Sequence, residues 1–242
     1  MIRVQLDLSI IIPCYNEEES LPLLKNLLLQ FKEKAVLTFE LIFVDDGSSD
    51  NTHNLLQKMF TEFLYVKVIK NSTNLNLGGA VKAGIPQCQG QFTAVIDADG
   101  SYSPLKLLEM YHLINSENLD VVSASAHHPE AGFAETTPWW RVFLSRSVQD
   151  LYNIILHTHY CSYTSIFRIY RTELLKSLKI ESNNFMAMAE ILSKCVLKNA
   201  KIVDFPAKSS YRQHGVSKAK IFQTIKAHLL YLTKLLFKCV KV

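Results

Sequence analysis

Short apolar runs alternate with amphipathic stretches through the first half of the chain. Leu8–Ile12 is an aliphatic run ended by Pro13, which predicts a buried strand. Glu17–Phe31 places Leu21, Leu24, Leu27, Leu28 and Phe31 at helical spacing on one face. Phe39–Val44 predicts a second strand, stopped by Asp45-Asp46-Gly47, and Ser49 or Asp50 can cap a helix running through Phe60. Tyr65–Ile69 predicts a third strand, and Leu77–Ile85 a short helix opened by Gly78-Gly79. Phe92–Ile96 predicts a fourth strand running into Asp97, Ser103-Pro104 opens the next helix, and Val121-Val122 closes a fifth strand. This βαβα rhythm predicts an α/β domain with a mostly parallel sheet covered by helices on both faces. The second half reads as an elaboration of the same domain: a helix from Trp139 to Leu156, a strand Ser165–Tyr170, a helix Phe185–Lys198 and a strand Lys201–Phe205.

Sheets of this type bind ligands beyond the carboxyl ends of their strands. Polar clusters fall at three such ends: Tyr15-Asn16-Glu17, Asp45-Asp46 and Asp97-Ala98-Asp99. One acidic loop after a strand is ordinarily a turn or a helix cap; three at equivalent ends point to a site. Asp97 and Asp99 flank one small residue, and on an extended segment residues i and i+2 share a side. Two carboxylates can then converge on one hard divalent cation and leave room for phosphate oxygens. Asp45 and Asp46 are placed to accept hydrogen bonds from a base or ribose.

Charge is divided unevenly. Residues 1–204 hold eighteen of the 26 basic residues and all 22 acids, a net −4, whereas residues 205–242 hold eight bases and no acid, a net +8. Such a split suggests a local anionic partner. Within 218–242, Ile221, Phe222, Ile225, Leu229, Leu232, Leu236, Cys239 and Val240 fall on one helical face, with Lys220, Lys234, Lys238 and Lys241 opposite and Lys226 at the edge; Leu230 and Phe237 break the pattern. This predicts an amphipathic helix lying in a membrane interface, against a helix packed on the domain with solvated lysines. The basic tail lacks the interleaved arginines of a nucleic-acid surface. Five scattered cysteines without zinc spacing argue against a disulfide framework or a zinc site and favour a reducing, cytosol-facing compartment. No signal peptide and no uncharged apolar run of membrane-spanning length is expected.

The stretches IIPCYNEEES (11–20), VDDGSSDNT (44–52), NLNLGGAVKAG (74–84) and DADG (97–100) resemble, in order, the motifs of family 2 glycosyltransferases of the GT-A fold. SYTSIFRIYR (162–171), the helix carrying Glu190, the strand ending at Pro206 and YRQHGVSK (211–218) are similar to the dolichol- and polyprenyl-phosphate sugar synthases, whose stretches read D-x-T-S-G-F-R and R-x-x-G-x-S-K. The resemblance covers nearly the whole chain. It implies a GT-A catalytic domain over 1–217 and transfer of one sugar, with inversion, from a nucleotide-sugar to a polyprenyl phosphate on the cytoplasmic side of a membrane. GDP-mannose is the favoured donor and UDP-sugars the other possibility. Pro13, Tyr15, Glu17, Asp45, Asp46 and Lys82 would then line the nucleotide pocket. Asp97, Ala98 and Asp99 would meet the diphosphate, with Mg²⁺ or Mn²⁺ on Asp97, Asp99 and Ser101. Arg141, Ser145, Arg212 and Lys218 would hold the acceptor phosphate, because a phosphate monoester needs guanidinium and ammonium donors.

The chain departs from those motifs in several places. Gly100-Ser101 replaces a common Leu-Gln, Ser162 stands for the Asp and Ile166 for the Gly of D-x-T-S-G-F-R, and Ser123-Ala124-Ser125 stands near a usual Gly-Ser-Arg. These changes fall around the sugar and the acceptor. The competing functions are a family 2 transferase that extends a glycan and an inactive membrane-binding module. Arg168 and Arg171 alternate with apolar residues, so one of them is expected on a solvated strand face. Glu190 is equally compatible with a structural and a site role, and Trp139-Trp140 with core and interface. His157, His159 and His214 are expected to be structural or solvated.

Overall fold

The computed structural model describes residues 6–131, 138–208, 221–237 and 240. Among them, strands β1 (Leu8–Cys14), β2 (Phe39–Asp45), β3 (Val66–Lys70), β4 (Phe92–Val95), β5 (Val121–Ser125), β6 (Arg168–Arg171) and β7 (Ile202–Pro206) form one sheet in the order β3-β2-β1-β4-β6-β5-β7. β1 through β4 pair in parallel, as do β5 and β7; β6 runs antiparallel to both its neighbours. The expected mostly parallel α/β sheet is therefore present, with one reversed strand in its interior.

Alternation along β1 and β2 sorts the core into two layers. Ile10, Ile12, Leu41 and Phe43 face the layer formed with α1 (Leu21–Lys34), α2 (Thr52–Met59) and α4 (Lys106–Ser116). Ile11, Ile42 and Val44 face α3 (Asn76–Gly84), α5 (Trp139–Leu156), α7 (Ala187–Leu197) and α8 (Ile221–Leu236) on the other side. A five-residue helix α6 (Thr172–Lys176) follows β6 directly, too short to show a period in the sequence. No disulfide joins the described cysteines.

β5 opens at Val121 and runs to Ser125, against the expectation that Val121-Val122 closes it. Three element starts shift by three residues or more, each for a local reason. α1 starts at Leu21 rather than Glu17, because Glu17 turns back on itself: its carbonyl accepts from Ser20 and Leu21 N–H, and its carboxylate accepts from the Ser20 hydroxyl at 2.9 Å. α4 starts at Lys106, after two turns in which Ser103 and Pro104 carbonyls accept from Lys106 and Leu107. β6 starts at Arg168 because Ser162 caps a turn, its hydroxyl accepting from Ser165 N–H at 3.1 Å.

Arg168 and Arg171 go to opposite fates. Arg171 is the outer one, paired with Asp120 at 3.3 Å and stacked over Phe92. Arg168 is fully buried. Glu190 has a structural role: it pairs with Lys194 at 2.8 Å inside the protein and accepts Glu181 and Ser182 N–H. Burial opposes its ionisation, but the Glu181 N–H, the Lys194 ammonium and the Ser182 donors outweigh burial and hold the carboxyl below its ordinary pKa.

α8 is a helix as expected, but its orientation corrects the expected face. Among its described side chains, His228, Tyr231, Leu232 and Leu235 are the buried ones, with Tyr152 of α5 hydrogen-bonded to His228 at 3.0 Å. Leu229 and Leu236, expected beside Leu232, point outward with Leu230 and Phe237. Two buried polar rings drew the helix round, a preference that apolar periodicity alone does not register.

Candidate active site

A cavity of about 870 Å³ opens at the carboxyl ends of β1, β2 and β4. β1 leaves the sheet at Cys14, level with Asp45 of β2. The chain then turns at Asn16, whose φ of 51° lies in the left-handed region that Asn tolerates. The two loops are laced together: Asn16 N–H donates to Ser48 Oγ at 2.9 Å, Ser49 N–H to Asn16 Oδ1 at 2.8 Å, and Glu17 N–H to Thr52 Oγ1 at 2.8 Å. Asp50 serves this lacing more than a helix cap, accepting from both Glu18 and Thr52 N–H. Pro13, Tyr15 and Glu17 are thereby presented to the cavity.

Asp45 and Asp46 separate. Asp45 is fully buried and does not line the cavity; it accepts Ser48 N–H at 2.9 Å and lies 3.2 Å from His53. Asp46 lines the cavity and holds its next wall, accepting Asn71 Nδ2 at 2.7 Å and Leu75 N–H at 3.0 Å. That brings Asn74, Asn76 and Leu77 to the cavity at the start of α3. Gly47 lets the loops meet: its φ is +72°, and a Cβ there would sit 2.7 Å from the Thr73 backbone. Gly78 does the same one layer down, where a Cβ would fall 2.5 Å from Ala187. Lys82 is directed away from the cavity and is held by Asn183 Oδ1 and the Glu181 carbonyl.

Asp97, Ala98, Asp99 and Ser101 all line the cavity. The expected extended segment is instead a turn over Ala98-Asp99 followed by Gly100 at φ +72°, with Ser101 N–H donating to Asp99 Oδ1 at 2.9 Å. The turn gathers the donors by curvature, not by strand alternation. Tyr102 stacks on Phe167 beneath them, and burial together with the Asp97 charge pushes its hydroxyl up to about 12. Two carboxylates and a hydroxyl are hard oxygen donors of the kind Mg²⁺ and Mn²⁺ take, the remaining positions going to water and phosphate oxygens. The residues present therefore fit such an ion, although no cluster of three His, Cys, Asp or Glu occurs among the described residues.

The far wall comes from the second half. Ser125 ends β5 and Ala126 and His127 follow it, Ser145 projects from α5, and Ser162, Thr164, Ser165 and Ile166 precede β6. The Ser162 hydroxyl supplies a turn acceptor that Asp would also supply, whereas Ile166 puts a side chain where the resembling motif has none. Asn184 and Phe185 before α7, and Gln223 and Thr224 of α8, complete the lining. None of these last residues sits in a motif, so only the fold brings them in. His127 Nε2 lies 2.9 Å from Ser145 Oγ, and burial followed by the nearby Arg146 charge pushes the imidazole down to about 4. Arg141 lies in the first turn of α5, its side chain outside the described residues; Arg212 and Lys218 also lie outside them.

With this geometry in place, the comparisons with known proteins are specific. The family model described as glycosyl transferase family 2 matches residues 9–179. The chain belongs to glycosyl transferase family 2. Two curated relatives are a dodecaprenyl-phosphate galacturonate synthase of Rhizobium johnstonii and a polyprenol monophosphomannose synthase of Mycolicibacterium smegmatis. The first is 26% identical over 96% of this chain and 67% of its own length, the second 27% identical over 86% and 79%. Among solved structures, the glucosyl-3-phosphoglycerate synthase of Mycobacterium tuberculosis, in complex with Mn²⁺, UDP-glucose and phosphoglyceric acid, superposes with a TM-score of 0.70. It is 17% identical and covers 94% of this chain and 79% of that one. The family 2 chain thus has the GT-A fold, and its cavity lies where the four matched motifs converge.

Proposed function

We propose that this family 2 transferase moves a single sugar from a nucleotide-sugar to a polyprenyl phosphate, with inversion at the anomeric carbon, GDP-mannose being the favoured donor. The carrying observation is that Asp97, Asp99 and Ser101 face Ser145 across one cavity that also contains Tyr15, Glu17 and Asp46. The names of the two relatives share the lipid-phosphate acceptor and differ in the sugar, which supports the acceptor class in particular.

Pro13, Tyr15, Glu17 and Asp46 bind the nucleotide end of the donor. Asp97, Asp99 and Ser101 would hold Mg²⁺ or Mn²⁺, which when bound neutralises the charge developing on the departing nucleoside diphosphate. Ser145 orients the acceptor phosphate, with Arg141, Arg212 and Lys218 as its cationic partners. An acceptor phosphate oxygen attacks the anomeric carbon as the bond to the diphosphate oxygen breaks. The attacking oxygen is already ionised near neutral pH, so no general base is required.

The test is a thermal-shift panel of GDP-mannose, UDP-glucose and UDP-N-acetylglucosamine with Mn²⁺, followed by transfer to a polyprenyl phosphate. The true donor raises Tm, by about 2.7 kcal/mol of added stability at a hundred times its Kd. A donor that binds but transfers only to a sugar hydroxyl would overturn the acceptor assignment. Binding without any turnover would favour the inactive module.

Peripheral association with the cytoplasmic face of a membrane is part of the same proposal. Support comes from the outward apolar residues of α5 (Trp139, Phe143, Ile154) and α8 (Leu229, Leu230, Leu236, Phe237), with Lys226 and Lys234 also exposed on α8. Both helices reach the cavity, through Ser145 and through Gln223 and Thr224. No helix among the described residues is long and apolar enough to cross a membrane. Because Tyr231, Leu232 and Leu235 are core residues, removing α8 would expose the core. Leu229→Ser with Leu236→Ser removes outward apolar area only. This pair is expected to lower the fraction pelleting with anionic liposomes severalfold and to leave nucleotide-sugar binding unchanged; an unchanged pelleting fraction contradicts the membrane surface.

A further inference from the structure

His127 is one of several polar residues of the far wall that no matched motif contains. His127 falls just past the stretch where Ser123-Ala124-Ser125 departs from the resembling sequences. Its place is fixed from both sides: its N–H donates to Ser125 Oγ at 3.1 Å, and Ser125 Oγ in turn donates to the Cys161 carbonyl at 3.2 Å. Its ring then meets the α5 hydroxyl of Ser145, and both residues line the cavity.

A neutral imidazole beside a seryl hydroxyl has two arrangements. If Nε2 carries the proton, the ring donates to Ser145 Oγ and the seryl hydrogen is free to turn into the cavity as a donor. If Nε2 is bare, Ser145 donates to the ring and shows only lone pairs to the cavity. The second arrangement repels an anion and the first receives one. Burial and the Arg146 charge keep the ring neutral, so the choice is between tautomers and not between charges.

We propose that His127 is a positioning residue for the acceptor: by donating through Nε2 to Ser145 Oγ, it turns the Ser145 hydroxyl into a donor aimed at the acceptor phosphate. This rests on the reading above that Ser145 faces that phosphate. His127 and Ser145 both lie on the cavity wall built from the second half of the chain, so the effect falls on the acceptor. Losing a hydrogen bond to a charged group weakens binding by about tenfold or more.

Calorimetric titration of the full chain with farnesyl phosphate, and separately with GDP in the presence of Mn²⁺, tests the assignment. His127→Ala and Ser145→Ala are each expected to weaken farnesyl phosphate about tenfold while GDP affinity stays at the wild-type value. The double variant is expected to be no worse than Ser145→Ala alone, because the two residues act as one unit. His127→Gln restores a permanent N–H donor and is expected to recover most of the affinity. A His127→Ala protein that binds farnesyl phosphate like wild type overturns the role of His127 and leaves the acceptor assignment standing. Equal losses for GDP and farnesyl phosphate make the residue merely structural and overturn it too. A wild-type chain that binds GDP but not farnesyl phosphate overturns the acceptor assignment, and the role of His127 with it.

Discussion

Asp99→Asn is expected to lower sugar transfer by about 10³-fold while leaving the fold intact. The carboxylate has two duties that this substitution separates. Its Oδ1 accepts Ser101 N–H and closes the turn that gathers Asp97, Asp99 and Ser101 at the cavity. An asparagine oxygen accepts the same bond, so the turn persists. What is lost, on the proposed function, is the negative charge required to hold a divalent cation against a diphosphate. Removing one preorganised electrostatic contact of this kind costs roughly 10²–10³ in rate, and loss of the metal itself puts the effect at the upper end. Asp99 is only half-buried, so stability should change by less than about 1 kcal/mol, or a few degrees in Tm. The measurement pairs a transfer assay with a Mn²⁺ titration of wild type and variant in the presence of GDP. Wild-type turnover in the variant would remove the metal and diphosphate assignment from this turn. Loss of turnover with unchanged Mn²⁺ affinity would move Asp99 from metal to substrate.

How much of this was legible in the sequence depends on the distance over which the information acts. Three of the four motifs that rim the cavity are local: each is a strand end plus the turn after it, and apolar run, breaker and acid occur within ten residues. Pro13, Tyr15, Glu17, Asp46, Asp97 and Asp99 could be named for that reason. Asp45 and Asp46 are adjacent and equivalent in the sequence, yet at the end of β2 both are buried and only Asp46 reaches the cavity wall. Lys82 looked available because its motif is, but its partner Asn183 lies a hundred residues away. The far wall was least legible. His127, Asn184, Phe185, Gln223 and Thr224 come from separate elements that meet only after β6 reverses direction inside the sheet, and no local pattern announces that reversal. The orientation of α8 failed for a related reason. Eight apolar residues spread over more than half its circumference leave the choice of buried face to its partner Tyr152.

Arg168→Ala is expected to cost about 4 kcal/mol of stability, the largest effect of any single substitution considered. Alternation in FRIYR gives Arg168 and Arg171 nothing to tell them apart, but their environments differ completely. Arg168 is 0% exposed, and its guanidinium joins three segments: Nε donates to Ser123 Oγ at 2.8 Å, Nη1 to the Met188 carbonyl at 2.8 Å and Nη2 to the Ser162 carbonyl at 2.9 Å. A planar fork of fixed donors suits three acceptors in three directions. Truncation leaves two buried carbonyls and a hydroxyl without that donor and opens a void the size of the side chain. Each unsatisfied group costs about 1–3 kcal/mol, and the void adds to this. Asp204 suffers as well. Burial already raises its pKa, the Cys161 N–H and the Arg168 charge oppose that rise, and removing the charge moves the carboxyl further up. Against a typical total of 5–15 kcal/mol, a loss of this size leaves little margin for expression. Arg168→Lys keeps the charge and most of the volume but cannot span three acceptors, and about half the loss is expected. Urea unfolding of the lysine variant should show a lowered midpoint at unchanged slope. The functional consequence follows from which segments are joined. The Ser162 segment lines the cavity, and the Met188 turn follows directly on Asn184 and Phe185, which also line it. A variant that still folds should therefore lose part of the thermal shift produced by the donor and Mn²⁺, whereas a variant at Arg171, on the outer side of the same strand, should keep all of it. A lysine variant with wild-type stability would mean that the guanidinium merely fills space, and would remove Arg168 from the support of the site.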